Sequence, residues 1–154
     1  MLGRVWRFVV LFGAALSLFA ASKPDFTGKW ELAVDESNFG NAPKPARMTL
    51  EASNNDGVMH SVQTTYTAQE PETLEGNWYL DGKRHSSDKP APGYSVTKWQ
   101  DDTLVNERVS NDRAYHETTR LSLSRDGKTA TEEVDSKTPN GTNHVKLIWH
   151  KQSS

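Results

Sequence analysis

Arg108 is the residue of this chain with the widest chemical scope. It closes the run Leu104-Val105-Asn106-Glu107-Arg108, and in an extended strand Leu104, Asn106 and Arg108 share one face. A guanidinium on the inner face of a closed sheet offers paired donors to a carboxylate or phosphate. Aromatic residues mix with polar ones at the same two-residue step: His60, Val62, Thr64 and Tyr66; Trp78 and Leu80; Tyr115 and Glu117. Such faces suit an amphipathic or aromatic ligand held by a few hydrogen bonds. The expected contacts are Tyr66, Trp78, Tyr94 and Tyr115 as aromatic walls, with Arg108 as the orienting polar group. The plainer alternative puts these residues on the outer face in cross-strand pairs, because a register slip of one residue turns every side chain over. Arg120 is expected to be structural, and either arginine could instead stack on Trp30 to close one end of the sheet.

Other chemistries find less support. The chain has no Cys, which excludes thiolate metal sites, cysteine nucleophiles and disulfides. Its histidines, His60, His85, His116, His144 and His150, lack the short spacing of metal-binding motifs; His144 and His150 would lie about 20 Å apart on one strand at ~3.3 Å per residue. No metal or cofactor is therefore expected. No Gly-x-Ser-x-Gly, phosphate-cradling glycine loop or His-Glu-x-x-His occurs, so no catalytic residue is assigned. Glu132 and Glu133 would point to opposite faces of a strand and cannot act there as an acid/base pair. Asn140-Gly141-Thr142 has the letters of a glycosylation acceptor, but Asn-Gly as a hairpin turn explains it without further assumption.

The elements that must position these residues are strands. Apolar alternation starts at Trp30, Leu32 and Val34, resumes at Met48, Leu50 and Ala52, and recurs to Leu147 and Trp149. Turn signals separate the runs: Asn54-Asn55-Asp56-Gly57, Asp81-Gly82, Asp101-Asp102, Asn111-Asp112, Asp126-Gly127 and Asn140-Gly141, each suited to the positive φ or side-chain capping of a hairpin. The stretch 35–46 contains Pro43 and Pro45 and reads as a loop, and 84–93 reads as an irregular loop or broken strand. No helical period of any length appears. About 8–10 strands joined by local hairpins predict an all-β, single-domain, up-and-down antiparallel barrel, in which the first strand pairs with the last and the sheet edges vanish. A two-layer sandwich is the alternative, disfavoured because the connections are short and a Greek key needs a long crossover.

Residues 1–22 differ from the rest. Arg4 and Arg7 precede an apolar run over 8–20, and Ala20-Ala21-Ser22 supplies small residues. This pattern predicts a cleaved signal peptide, the apolar run being shorter than the ~20 residues a membrane-crossing helix needs. The expected mature domain is 23–154, exported to a periplasmic or extracellular space and without a membrane span. The formal net charge is −2 for the whole chain and grows more negative once Arg4 and Arg7 leave, which argues against nucleic acid or an anionic membrane as partner.

Phe26, Gly28-Lys29-Trp30, Leu32 and Ser37-Asn38-Phe39, with Lys98-Trp99 before Asp101-Asp102, resemble the corresponding strands of the lipocalin and fatty-acid-binding-protein superfamily. The Phe26-x-Gly28-x-Trp30 opening and the turn Leu123-Ser124-Arg125-Asp126-Gly127-Lys128-Thr129 resemble the exported lipocalin-like proteins of bacteria. That resemblance implies fold and compartment, and no activity. Two features of the fatty-acid-binding branch are missing. Its helix-turn-helix lid has no room in 40–46, and its terminal Arg-x-Tyr pair is absent from Val145-Lys146-Leu147-Ile148-Trp149-His150; Arg113-Ala114-Tyr115 has those letters elsewhere. The resulting expectation is a non-catalytic exported protein holding a small, partly apolar ligand in or at the mouth of the barrel. The rival readings are a barrel filled by its own side chains that acts as an interaction module in the cell envelope, and a pocket enzyme or haem-binding protein.

Overall fold

A computed structural model describes residues 22–88 and 90–153; most of the expected signal peptide therefore lies outside the described residues. Among the described residues, ten strands follow one another without a helix: β1 (Gly28–Leu32), β2 (Arg47–Asn55), β3 (Val58–Tyr66), β4 (Glu72–Tyr79), β5 (Arg84–Ser87), β6 (Gly93–Gln100), β7 (Thr103–Ser110), β8 (His116–Leu123), β9 (Thr129–Thr138) and β10 (Gly141–Lys151). Every ladder is antiparallel and the sheet order is β4-β3-β2-β1-β10-β9-β8-β7-β6-β5. The expected pairing of first and last strands is present, with Leu32 opposite Trp149 and Trp30 opposite Lys151. No sandwich-type crossover interrupts the order.

Closure nevertheless differs from expectation in one respect. The sheet edges do not vanish: β4 and β5 are its two ends and do not pair, so the barrel is closed on all sides but one. The Asp81-Gly82 turn explains the seam. Instead of folding β5 back onto β4, it carries the chain across to β6, where Gly82 N–H donates to Thr97 O at 3.0 Å. The stretch 84–93, expected to be an irregular loop or a broken strand, holds the four-residue strand β5 paired with β6 from Arg84↔Val96 to Ser87↔Gly93. Stacking of Tyr79 on His85, with ring centroids 3.9 Å apart, joins the two edges near the turn.

The other turns follow their residue types. Asp56 (φ 50°) and Gly57 (φ 78°) both adopt left-handed backbone between β2 and β3, the hairpin geometry whose twist matches the flanking strands. The Pro-containing stretch between β1 and β2 forms turns and a single bridge, Asn38↔Lys146, and supplies no helical lid. The core gathers at one end of the barrel. Trp30 and Trp149 are almost wholly enclosed, at 2% and 0% exposure, among Phe26, Leu32, Leu104, Leu121 and Leu147. Trp30 Nε1 donates to Phe26 O at 2.9 Å, and Phe26 stacks on Trp99 with centroids 6.3 Å apart. Two indoles and this shell each bury on the order of 150–250 Å² for the aromatics, the dominant favourable term for a domain without disulfides.

Candidate functional site

The interior is open above that core. A cavity of about 450 Å³ is bounded on its apolar side by Phe26, Trp30, Leu50, Met59, Trp78 and Trp149, and on its polar side by Ser95, Asn106, Arg108, Glu117 and Glu132. This is the size of a small-ligand pocket, and its lining divides about evenly between apolar and polar side chains. Leu74 of the edge strand β4 also lines it and is 51% exposed, so the cavity reaches solvent beside the seam.

The polar side is built on β6 to β9. Register places Arg108 directly between Ser95 of β6 and Glu117 of β8. Asn106, one step along the same face, is buried and donates from Nδ2 to Thr97 Oγ1 at 2.7 Å. Arg108 Nη2 is buried and has no hydrogen-bond partner among the described residues. A buried donor left in that condition costs stability unless an acceptor reaches it. Glu117 does not form an ion pair with Arg108; it accepts a short hydrogen bond from the Tyr115 hydroxyl instead. The turn after β7 fixes that tyrosine, because Tyr115 N–H donates to Ser110 Oγ at 2.9 Å and Ser110 N–H donates to Tyr115 O at 3.0 Å. Burial, then the Glu117 hydrogen bond and charge, push the Tyr115 phenol up, with Arg108 opposing, so the phenol remains a proton donor at neutral pH.

Glu132 stands on the other side of this group. It shares the inward face of β9 with Ala130, pairs with Leu147 and Leu121, and accepts from Trp149 Nε1 at 2.9 Å. Burial pushes its carboxyl above the usual range, the indole N–H pulls it part of the way back, and the charge of Glu117 adds to the rise. Its neighbour Glu133 points outward to Lys146 at 3.5 Å, as strand alternation requires. Glu132 was thus readable as something other than half of a catalytic pair, but its place in the cavity wall was missed. The available signal was its two-residue step from Ala130 on a strand next to the one carrying Leu147 and Trp149.

Of the residues expected to form the pocket, Arg108 and Trp78 line the cavity, and Tyr115 reaches it through Glu117. Tyr66 and Tyr94 do not. Met48, Leu50 and Ala52 give the inner face of β2, so Arg47 and its partner Tyr66 lie on the outer one, where the Arg47 guanidinium sits 5.3 Å from the Tyr66 ring centroid. Tyr94 likewise alternates with the inward Ser95 and carries Arg84 at 4.2 Å from its ring. Arg120 is an outer-face residue bound to Asp135 at 2.9 Å. Neither arginine stacks on Trp30; Lys151 does, with Nζ 5.3 Å from the ring centroid.

The histidines are spread over separate partners: Asn77 for His60, Asp81 for His85, Glu107 for His116, Asp135 for His144 and Glu36 for His150. Among the described residues no three His, Asp or Glu side chains are placed to hold a metal ion, and no helix is long and apolar enough to cross a membrane.

No known protein family's sequence pattern matches the chain, and no curated protein matches it in sequence. Solved structures do match in shape. Fatty-acid-binding protein 1 of Echinococcus granulosus superposes with a TM-score of 0.61 at 13% identity, over 83% of this chain and 98% of that one. A secretory abundant heat soluble protein of Ramazzottius varieornatus gives 0.62 at 12% identity, over 85% and 97%. Zebrafish ileal bile acid-binding protein, solved with cholic acid, gives 0.56 at 15% identity, over 82% and 98%. The chain shares with them the ten-stranded, nearly closed β-barrel of the fatty-acid-binding-protein type.

Proposed function

We propose that this protein is an exported, non-catalytic carrier or receptor of a small, partly apolar molecule held inside the barrel. The observation that carries this reading is the amphipathic cavity, with indoles on one wall and, on the other, a buried Arg108 Nη2 that no described residue satisfies. The apolar part of the ligand packs on Trp30, Trp78 and Trp149, and an oxygen acceptor of its polar end meets Arg108. Similarly shaped barrels whose names or contents are fatty-acid-binding protein, cholic acid and, in a Schistosoma mansoni protein, arachidonic acid support the ligand class. Export rests on the leader-like pattern of 1–22, and mass spectrometry of the secreted chain beginning at or near Lys23 tests it.

Titration of Trp fluorescence with fatty acids, bile acids, retinoid-like dyes and small aromatics tests binding, because three tryptophans line the cavity. Arg108→Gln is expected to weaken the responding ligand about 10- to 100-fold, the worth of a charge-assisted hydrogen bond of roughly 1.5–3 kcal/mol. Absence of any response across the panel refutes the proposal.

A further inference from the structure

The cavity carries more than one kind of polar group, and their free valences define a head group. Arg108 Nη2 is a donor in want of an acceptor. Glu117 uses Oε2 for the Tyr115 hydroxyl and Glu132 uses Oε2 for the Trp149 indole. The second oxygen of each carboxyl makes no hydrogen bond to a described residue, while both residues line the cavity. Glu75 and Asp88 line it as well, so four carboxyl groups share the space with a single guanidinium. A bare carboxylate entering such a site gains Arg108 and is repelled by Glu117; it offers neither acidic residue anything to accept. An ester head satisfies Arg108 alone.

Resting on the reading that the barrel binds a partly apolar molecule, we infer that the ligand's polar end is an uncharged group that both accepts and donates hydrogen bonds, of the carboxamide type. Its carbonyl oxygen takes the Arg108 Nη2 donor and its N–H is directed to Glu117 or Glu132. The pairing of Arg108 with Glu117 across β7 and β8 places donor and acceptor side by side, the spacing that one planar amide can bridge. Glu117 is already committed through Oε2 to the Tyr115 hydroxyl, so the acceptor direction is set before the ligand arrives. Preset partners of this kind reject an analogue lacking the matching group more strongly than an apolar wall rejects a change of size.

The experiment is a matched series on one alkyl chain: dodecanamide, dodecanoate, methyl dodecanoate and dodecylamine, titrated by Trp fluorescence and by calorimetry at pH 7.5 against the wild-type protein and Glu117→Gln/Glu132→Gln. Wild type is expected to bind the amide at least 10-fold more tightly than the carboxylate or the ester. The double variant keeps an oxygen acceptor for Tyr115 and for Trp149, and is expected to lose most of that preference while its affinity for dodecanoate rises. Equal or tighter binding of dodecanoate or the ester by wild type overturns the head-group assignment and leaves the lipid-binding reading standing. Tightest binding of dodecylamine overturns it in favour of a cationic head. Silence of all four compounds in both readouts removes the binding reading and the assignment with it.

Discussion

The Trp149–Glu132 hydrogen bond ties the floor of the cavity to its polar wall, and its energetic weight can be predicted. Trp149 is wholly enclosed and donates from Nε1 to Glu132 Oε2 at 2.9 Å. Trp149→Phe removes that donor and leaves a ring roughly 40 Å³ smaller, which at ~24 cal/mol per Å³ of residual cavity costs about 1 kcal/mol. Loss of the donor from a buried carboxyl adds about 1.5–3 kcal/mol, for a total of ~2.5–4 kcal/mol. Glu132→Gln keeps an acceptor oxygen for the indole but reduces the bond to a neutral one of about 1 kcal/mol. In the Glu132→Gln background, Trp149→Phe should therefore cost ~0.5–2 kcal/mol less than in wild type. Urea unfolding of all four proteins at pH 7, with unchanged m-values, closes this double-mutant cycle. A coupling within 0.5 kcal/mol of zero would refute the claim that this bond holds the two walls together.

Three further outcomes follow from the same geometry. Because burial raises the native Glu132 carboxyl above its unfolded value, the native state holds that proton more tightly; stability is undiminished below the unfolded carboxylate range and falls as pH rises through the raised native value. Glu132→Gln should remove this descent, checked by urea midpoints between pH 4 and pH 8. Trp78→Ala should weaken any ligand that quenches tryptophan emission by about 5-fold or more, since covering the half-buried Trp78 ring is worth about 1 kcal/mol or more, whereas Tyr66→Ser and Tyr94→Ser should leave affinity within about twofold, as measured by calorimetry. Gly93→Ala should destabilise the β6–β7 hairpin by ~1–3 kcal/mol, because its Cβ would stand 2.1 Å from the Val109 carbonyl oxygen; thermal unfolding reads this directly.

Much of the architecture was legible because each hairpin carries its own chemistry. Asp56-Gly57 and Asp126-Gly127 mark turns whose backbone the structure holds at positive φ, and Trp30, Leu32, Leu50 and Ala52 alternate as an inner face should. The seam was not legible. Glu72–Tyr79 reads as a strand like its neighbours, and whether a second strand joins its free side depends on where the Asp81-Gly82 turn sends the chain, a tertiary matter. The misplacement of Tyr66 has a related origin. On β3 the inward set, Met59, Ser61 and Gln63, is no more apolar than the outward Val62 and Tyr66, because that stretch walls an amphipathic cavity and not a packed core. Hydrophobicity then assigns the wrong face. The inward position of Arg108 was legible because it continues the face of Leu104, which is fully buried, whereas Glu132 was considered only for acid/base catalysis and not as part of a lining.

Pairing β1 with β10 sets the first and last described strands side by side in mid-sheet: Gln152 N–H donates to Lys29 O at 2.8 Å, while the two edge strands β4 and β5 are consecutive in sequence. A circular permutant that links the ends beyond Gln152 to the residues before Gly28, and is cut at Asp81-Gly82, would run β5 through β10 and then β1 through β4, which is the spatial order of the sheet. Every ladder would then join neighbours along the chain. The native order must instead bring partners such as Ser37 and Ile148, 111 residues apart, together, and that long-range search slows β proteins. The permutant should fold faster than the natural order while enclosing the same interior, which would make the order of synthesis, and not the barrel, the source of the kinetic barrier.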